Sequence, residues 1–396
     1  MWKAMDSNND ELDEMVGGLS MKLLDELKSS DIEQLIKLHI ALGRCYTNVN
    51  DPKESHSAFQ TALNFIKKAP PSVYLDDPSI IFPIFSGLFV TLRFGNNEDF
   101  QYESGLVKMF LRETERYKEK HPEHFCRALA MQGEMLARHG QFMTAINFAN
   151  NLRGIYDVDQ HSELISQTYG SDRCAECIAQ LALWNEQIRD FKEAMKICNF
   201  IIEVLLPKMD SQNVQNSFYI LYPIIFIMKE HGRAREARDI FENYVIENFQ
   251  NKLDIHGGMT SDRQLHMPIM YLLDMVDTDC KTENLQEYSE WMLIEKNGIF
   301  KPELNLVMGS IGRTADSITA EICLLLAKHT TDRSQETFFV TKGFNVARDT
   351  IELTREKDGK LGMIVAYTQI EPIYEELDEL YTRLSLMPQT ITHCYI

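Results

Sequence analysis

Cys174-Ala175-Glu176-Cys177 is the one CxxC in the chain, and it is the first place to look for metal or redox chemistry. A structural zinc site needs four ligands, and no second pair of cysteines or histidines follows at a usable spacing. A redox dithiol needs a thiolate stabilised where a helix starts after a strand. Here both cysteines fall on one apolar helical stretch, which predicts buried thiols. Asp254, His256, Asp262 and His266 combine donors suited to a divalent ion, but their spacing specifies none. Gly309-Ser310-Ile311-Gly312-Arg313-Thr314 is too short for a phosphate loop, lacks a lysine and follows no strand. A turn and helix cap is expected there, with Thr314 or Ser317 opening the next helix. Asp76-Asp77 precedes a proline in a loop, and Glu375-Glu376 sits on the wet side of a helix. No nucleophile elbow is present. No catalytic, cofactor-binding or metal-binding residue is therefore assigned.

The elements that would position any site are helical. Apolar residues recur at helical spacing almost everywhere, and no run alternates as a strand would. Five helix pairs are expected. They are 32–48 with 53–68, 78–94 with 99–117, 125–138 with 142–152, 171–187 with 191–206, and 222–230 with 234–248. Pro52, Pro70-Pro71 and Gly95-Asn96-Asn97 mark breaks, because proline lacks an N–H donor and crowds the preceding turn. Pro223 implies that the first helix of the fifth pair starts late, at Tyr222, or is kinked. Further helices are expected at 268–276, 285–295, 317–328, 335–355 and 362–384, the last interrupted at Pro372. The organisation is thus an acidic N-terminal segment with a capping helix (1–30), a helical array (31–250), a loop (251–267), a helical region that continues or caps the array (268–384) and a tail (385–396).

A net charge of −19 repels nucleic acid and anionic membrane, so neither is expected as a ligand. The apolar stretches 80–92 and 218–228 fall short of the ~20 residues that span a bilayer, so no membrane insertion is expected. The first residues turn acidic at once, without the apolar segment of a secretory signal. Eight cysteines without a dense framework fit reduced thiols and a cytoplasmic setting.

Within the array, Leu42-Gly43, Tyr46, Ser55, Phe59 and Ala62 repeat a pattern of small and large residues. Small residues are needed where two helix backbones approach; large ones bury between that pair and the next. The frame sets Gly43 against Ser55, Gly133 against Ala145, Ala182 against Ala194, and places Ala237 in a fourth unit, where Ile225 stands at the position expected to be small. The anchors Ser55, Ala145, Ala194 and Ala237 are 90, 49 and 43 residues apart. The set resembles the tetratricopeptide (TPR) repeat family, whose unit is about 34 residues.

The resemblance implies an all-α, right-handed superhelical solenoid of antiparallel helix pairs with a helical C-terminal region. It also implies a non-catalytic scaffold or adaptor that reads a peptide or protein segment on its concave face. Mapped onto this chain, that face comprises Lys37, Arg44, Asn48, Arg127, Glu134, Arg138, Tyr219, Tyr222, Phe226 and Lys229. The Lys/Asn/Arg clamp that members of the family use for chaperone tails is not reproduced: Ile40, Arg44, Met131, Glu176 and Gln180 stand at its positions. A second reading is a regulatory module working with a separate ATPase or nucleotide cyclase; a third is an all-helical enzyme with an unrecognised site.

Overall fold

In a computed structural model, residues 32–48, 51–69, 80–94, 100–170, 172–208, 214–243, 270, 272–277, 289, 310–357 and 370–384 are described. Among them there is no strand. The fold is all-α and built largely of helix hairpins, an arrangement consistent with solenoid and TPR-like superfamilies. The expectations for 1–30, 251–267 and 385–396, and for Asp76-Asp77, lie outside the described residues.

The chain divides into two compact units, 1–137 with 141–220, and 138–140 with 221–396. The first unit opens with α1 (Ile32–Asn48) and α2 (Pro52–Lys68). The Asp51 side chain caps α2 by accepting from the Glu54 N–H, and Pro52 fits the first turn, where its missing N–H has no helical partner anyway. Lys67 and Lys68 close the helix at its negative end. α2 packs on α1 and on α3 (Phe82–Phe94), which pairs in turn with α4 (Phe100–Glu115).

Close approach defines this stack. The Ser55 hydroxyl donates to the Gly43 carbonyl at 2.7 Å, and the Phe59 ring lies where a Cβ on Gly43 would sit, 2.7 Å away. Gly87 on α3 faces the same ring. A phenyl group thus fills a slot between two glycines on two different helices.

α5 (Pro122–Arg138) and α6 (Phe142–Ile155) follow. Next comes α7 (Val158–Tyr169), which sequence periodicity had not indicated. Asp157 caps its start, and Gly170 ends it at φ 85°, a left-handed conformation that suits glycine. This inserted helix lengthens the interval between Ala145 and Ala194. α8 (Arg173–Gln187), capped by Asp172, packs against α6 and α9 (Phe191–Phe200). α9 runs into a π-helical turn, Ile201–Leu205, before Pro207. Ala145, Ala182 and Ala194 are all fully buried. A Cβ added at Gly133 would lie 3.5 Å from Cys177 and Trp184 of α8. A glycine reports that something comes close, not which helix does.

α10 runs from Val214 to Glu230 with Pro223 inside it, so a start at Tyr222 is corrected. The division between the units falls within this helix, at 220/221. In the second unit α11 (Ala234–Phe241) has the fully buried Ala237 on its inner face. A three-helix group, α12 (Ser310–His329), α13 (Arg333–Lys357) and α14 (Glu371–Arg383), completes the described residues. Pro372 sits in the first turn of α14 rather than interrupting a longer described helix. α12 already begins at Ser310, so Ile311 to Thr314 are helical rather than a turn. Gly343 of α13 lies 2.8 Å from Cys323 Cβ of α12 and about as close to Leu377 of α14, measured from an added Cβ.

Candidate functional site

Two of the positions expected to line a concave face, Arg44 and Arg127, reach α7. Arg44, near the end of α1, donates from both terminal nitrogens to the Gln167 carbonyl at 3.3 and 3.4 Å. Arg127 of α5 donates from Nε and Nη2 to the Ser86 hydroxyl of α3 at 3.0 and 2.9 Å. Its guanidinium also lies 5.8 Å from the centre of the Tyr169 ring, a cation–π arrangement. α7 packs on α3 as well. Arg127 is only 1% exposed, so it is an internal strut and not a cation presented to a ligand.

Both ends of α7 are tied down. Tyr156, just before it, donates its hydroxyl to Asp172, just after it, and Asp172 also accepts from the Cys174 N–H. Burial raises the Asp172 carboxyl above its ordinary range, and it raises the Tyr156 hydroxyl too, helped by the Asp172 charge. At the C-terminal end, the Tyr169 hydroxyl lies 2.8 Å from His124 Nδ1. Part of the Tyr169 side chain stays exposed, yet its hydroxyl is deep enough that burial raises it well above its usual pKa. Phe82 stands edge-on to His124 at 4.7 Å, and Phe110 to Tyr169 at 6.4 Å.

The thiols nearby are shut away from solvent. Cys126, Cys174 and Cys177 are fully buried. Burial, with the Asp172 and Glu123 charges, pushes Cys126 up to about 12, and burial raises Cys174 and Cys177 well above the usual thiol range. A thiol held protonated is a poor nucleophile and a poor metal ligand. The CxxC therefore packs the core of α8.

The remaining candidates scatter. Lys37 is half-buried and paired with Glu33 at 2.6 Å, Glu134 is buried, and Arg138 is half-buried. In the second unit, Lys229 is buried, 2.6 Å from Glu321 and 3.1 Å from Glu230, with its ammonium 5.3 Å from the half-buried Phe226 ring. Burial alone would lower the Lys229 ammonium, but the two carboxylates outweigh it and hold its pKa up. Asn48, Tyr219 and Tyr222 belong to helices whose backbone is described, but their side chains lie outside the described residues. The Asp254, His256, Asp262 and His266 loop does as well.

No protein-family model and no curated protein matches this chain. Among the described residues, no helix is long and apolar enough to cross a membrane.

One group of chemically competent side chains escaped the sequence reading. His121, Glu123 and His124 bring one donor atom each to within 4.8 Å of one another at the start of α5. The signal was His-Pro-Glu-His ahead of a helix, where proline fixes the backbone and the first turn gathers its side chains. The helix expected from the sequence began at Phe125, which left 121–124 in a connection between elements.

Proposed function

We propose that the chain is a TPR-like helical-repeat scaffold that docks a segment of another protein without catalysis, in a reducing, cytoplasmic setting. The observation that carries this reading is the sharing of helices between pairs. α2 packs on both α1 and α3, α8 on both α6 and α9, and α13 on both α12 and α14. Stacking of that kind leaves an extended outer surface whose job is contact. The docking surface lies on faces that α7 leaves open, since Arg44 and Arg127 are engaged by α7. Large apolar side chains stand exposed in the first unit, among them Met143 at 63% and Phe191 at 45%. The net charge of −19 favours a neutral or basic segment. The six described cysteines, all buried and none of them joined in a disulfide, are in keeping with a reducing compartment.

The test is a binary complex between purified components. Proteins captured on the full chain are expressed separately and titrated against it. A one-to-one complex that Met143→Asp or Phe191→Asp weakens by about tenfold or more, with unchanged circular dichroism, supports the reading. Failure of every captured protein to bind when purified overturns it.

A further inference from the structure

We propose that His121, Glu123 and His124 hold one divalent transition ion of the Zn2+ class, with Tyr169 as the positioning residue behind His124. The inference is independent of the scaffold reading. His121 Nδ1 lies 3.2 Å from Glu123 Oε1, and His124 Nε2 lies 3.8 Å from the same oxygen. In a tetrahedral zinc site with bonds of about 2.0–2.2 Å, neighbouring donors stand roughly 3.3–3.5 Å apart. Both donor pairs that include Glu123 therefore stand within a few tenths of an ångström of that spacing, and all three atoms lie within 4.8 Å of one another, so a small closure of the two imidazoles completes the shell.

Their chemistry is equally apt. Two imidazoles and one carboxylate are borderline donors that suit Zn2+ or Co2+ over Mg2+ or Ca2+, and three protein ligands leave a fourth position for water. The support behind them is already built. Tyr169 engages His124 Nδ1, which leaves Nε2 as the nitrogen turned toward Glu123. With Nε2 on a metal, Nδ1–H donates to the phenol oxygen, the outer contact that fixes ring orientation and strengthens the donor. Phe82 at 4.7 Å and the stacked His121 ring at 5.7 Å hold the imidazole against rotation.

Access and charge fit too. His124 and Glu123 are buried, whereas the His121 side chain is 32% exposed and gives the ion a route in. The positive end of α5 opposes a cation, and the Glu123 carboxylate in its first turn offsets that field. Pro122 limits the backbone between His121 and Glu123, so less freedom is lost when the donors close on an ion.

The experiment uses the full chain, stripped with a chelator, and titrates it with Zn2+ by calorimetry and with Co2+ by visible absorption. One ion per chain is expected. His121→Ala and Glu123→Gln should each weaken binding at least about tenfold, and Tyr169→Phe by about tenfold with stoichiometry kept. His121 lies outside the helix and is partly exposed, so His121→Ala keeps the proposal testable even where His124→Ala disturbs folding. The double substitution His256→Ala/His266→Ala should leave the affinity unchanged. Absence of stoichiometric binding at about 100 μM metal, or binding indifferent to His121→Ala and Glu123→Gln, overturns the proposal.

Discussion

Replacing Gly87 by alanine asks whether the Phe59 slot holds the first stack together. Two effects compete. Alanine in a helix interior is favoured over glycine by about 1 kcal/mol, because glycine loses more backbone freedom on folding. Against that, the new Cβ falls on the Phe59 ring closer than real Cβ contacts occur. Ring atoms at the end of a side chain normally swing away, but this ring is 2% exposed and a Cβ on Gly43 would also sit 2.7 Å from it. It has nowhere to go without parting α1, α2 and α3. Overpacking of that kind costs about 1–3 kcal/mol, so a net loss is expected in the wild-type background.

The decisive measurement is a double-mutant cycle followed by urea unfolding. Phe59→Ala alone should cost about 3–5 kcal/mol through the cavity it leaves. Once the ring is gone, Gly87→Ala should turn neutral or stabilising by up to about 1 kcal/mol. The sign of the Gly87 effect should therefore differ between backgrounds, with a coupling of about 1–3 kcal/mol. Equal effects in both backgrounds would refute the slot, and with it the reading of α1, α2 and α3 as one close-packed stack.

Two further outcomes follow from the charged groups. Burial lowers the pKa of His39, stacked on Phe65, and of His56, 3.0 Å from the Thr91 hydroxyl. The unfolded chain binds their protons more readily, so stability present above about pH 6.5 is lost as pH falls through that value. A His39→Gln/His56→Gln variant should lose less thermal stability between pH 7 and 5.5 than the wild type, and an identical loss would remove these histidines from the account. In the second unit, Glu321→Ala leaves the buried Lys229 ammonium with Glu230 alone and should cost about 1–3 kcal/mol. Adding Lys229→Met should recover much of that loss, because a volume-matched apolar side chain needs no partner; urea midpoints of the two variants decide it.

The hairpins were legible because their signals are local. Asp51-Pro52 and Asp190 announce helix starts, and Ser55 and Ala194 mark close approaches through their size. α7 was not legible by periodicity, since only Val158, His161 and Ile165 of its twelve residues are buried. Its capping residues, Asp157 and Gly170, were the available clue. Missing it had a consequence at a distance, because Arg44 and Arg127 read as groove cations only if nothing covers them. The Phe59 slot was half seen: Gly43 belongs to the repeat frame, but Gly87 lies on the neighbouring pair, and pairwise spacing cannot show what a third helix contributes. The His121, Glu123 and His124 group depends on side-chain directions at a helix start, which no periodic pattern encodes.

The polar groups around α7 explain why a helix with so little apolar surface has a fixed place. Val158 and Ile165 contribute roughly 1.5–3 kcal/mol apiece by burial, and such contacts have no direction. A helix held by them alone could slide or rotate. The bonds from Arg44 to the Gln167 carbonyl, from Tyr156 to Asp172, and between Tyr169 and His124 each accept one register only. Burying Arg127 with a hydroxyl and an aromatic face as its partners is costly, and its Nη1 has no hydrogen-bond partner. What that cost sustains is geometry, since a network of buried polar groups specifies one arrangement where apolar contacts tolerate many. The same network aims His124 Nε2 at Glu123, so the register of α7 and the competence of the proposed metal site are one physical property. A variant that lets α7 shift should therefore lower metal affinity before it unfolds the unit.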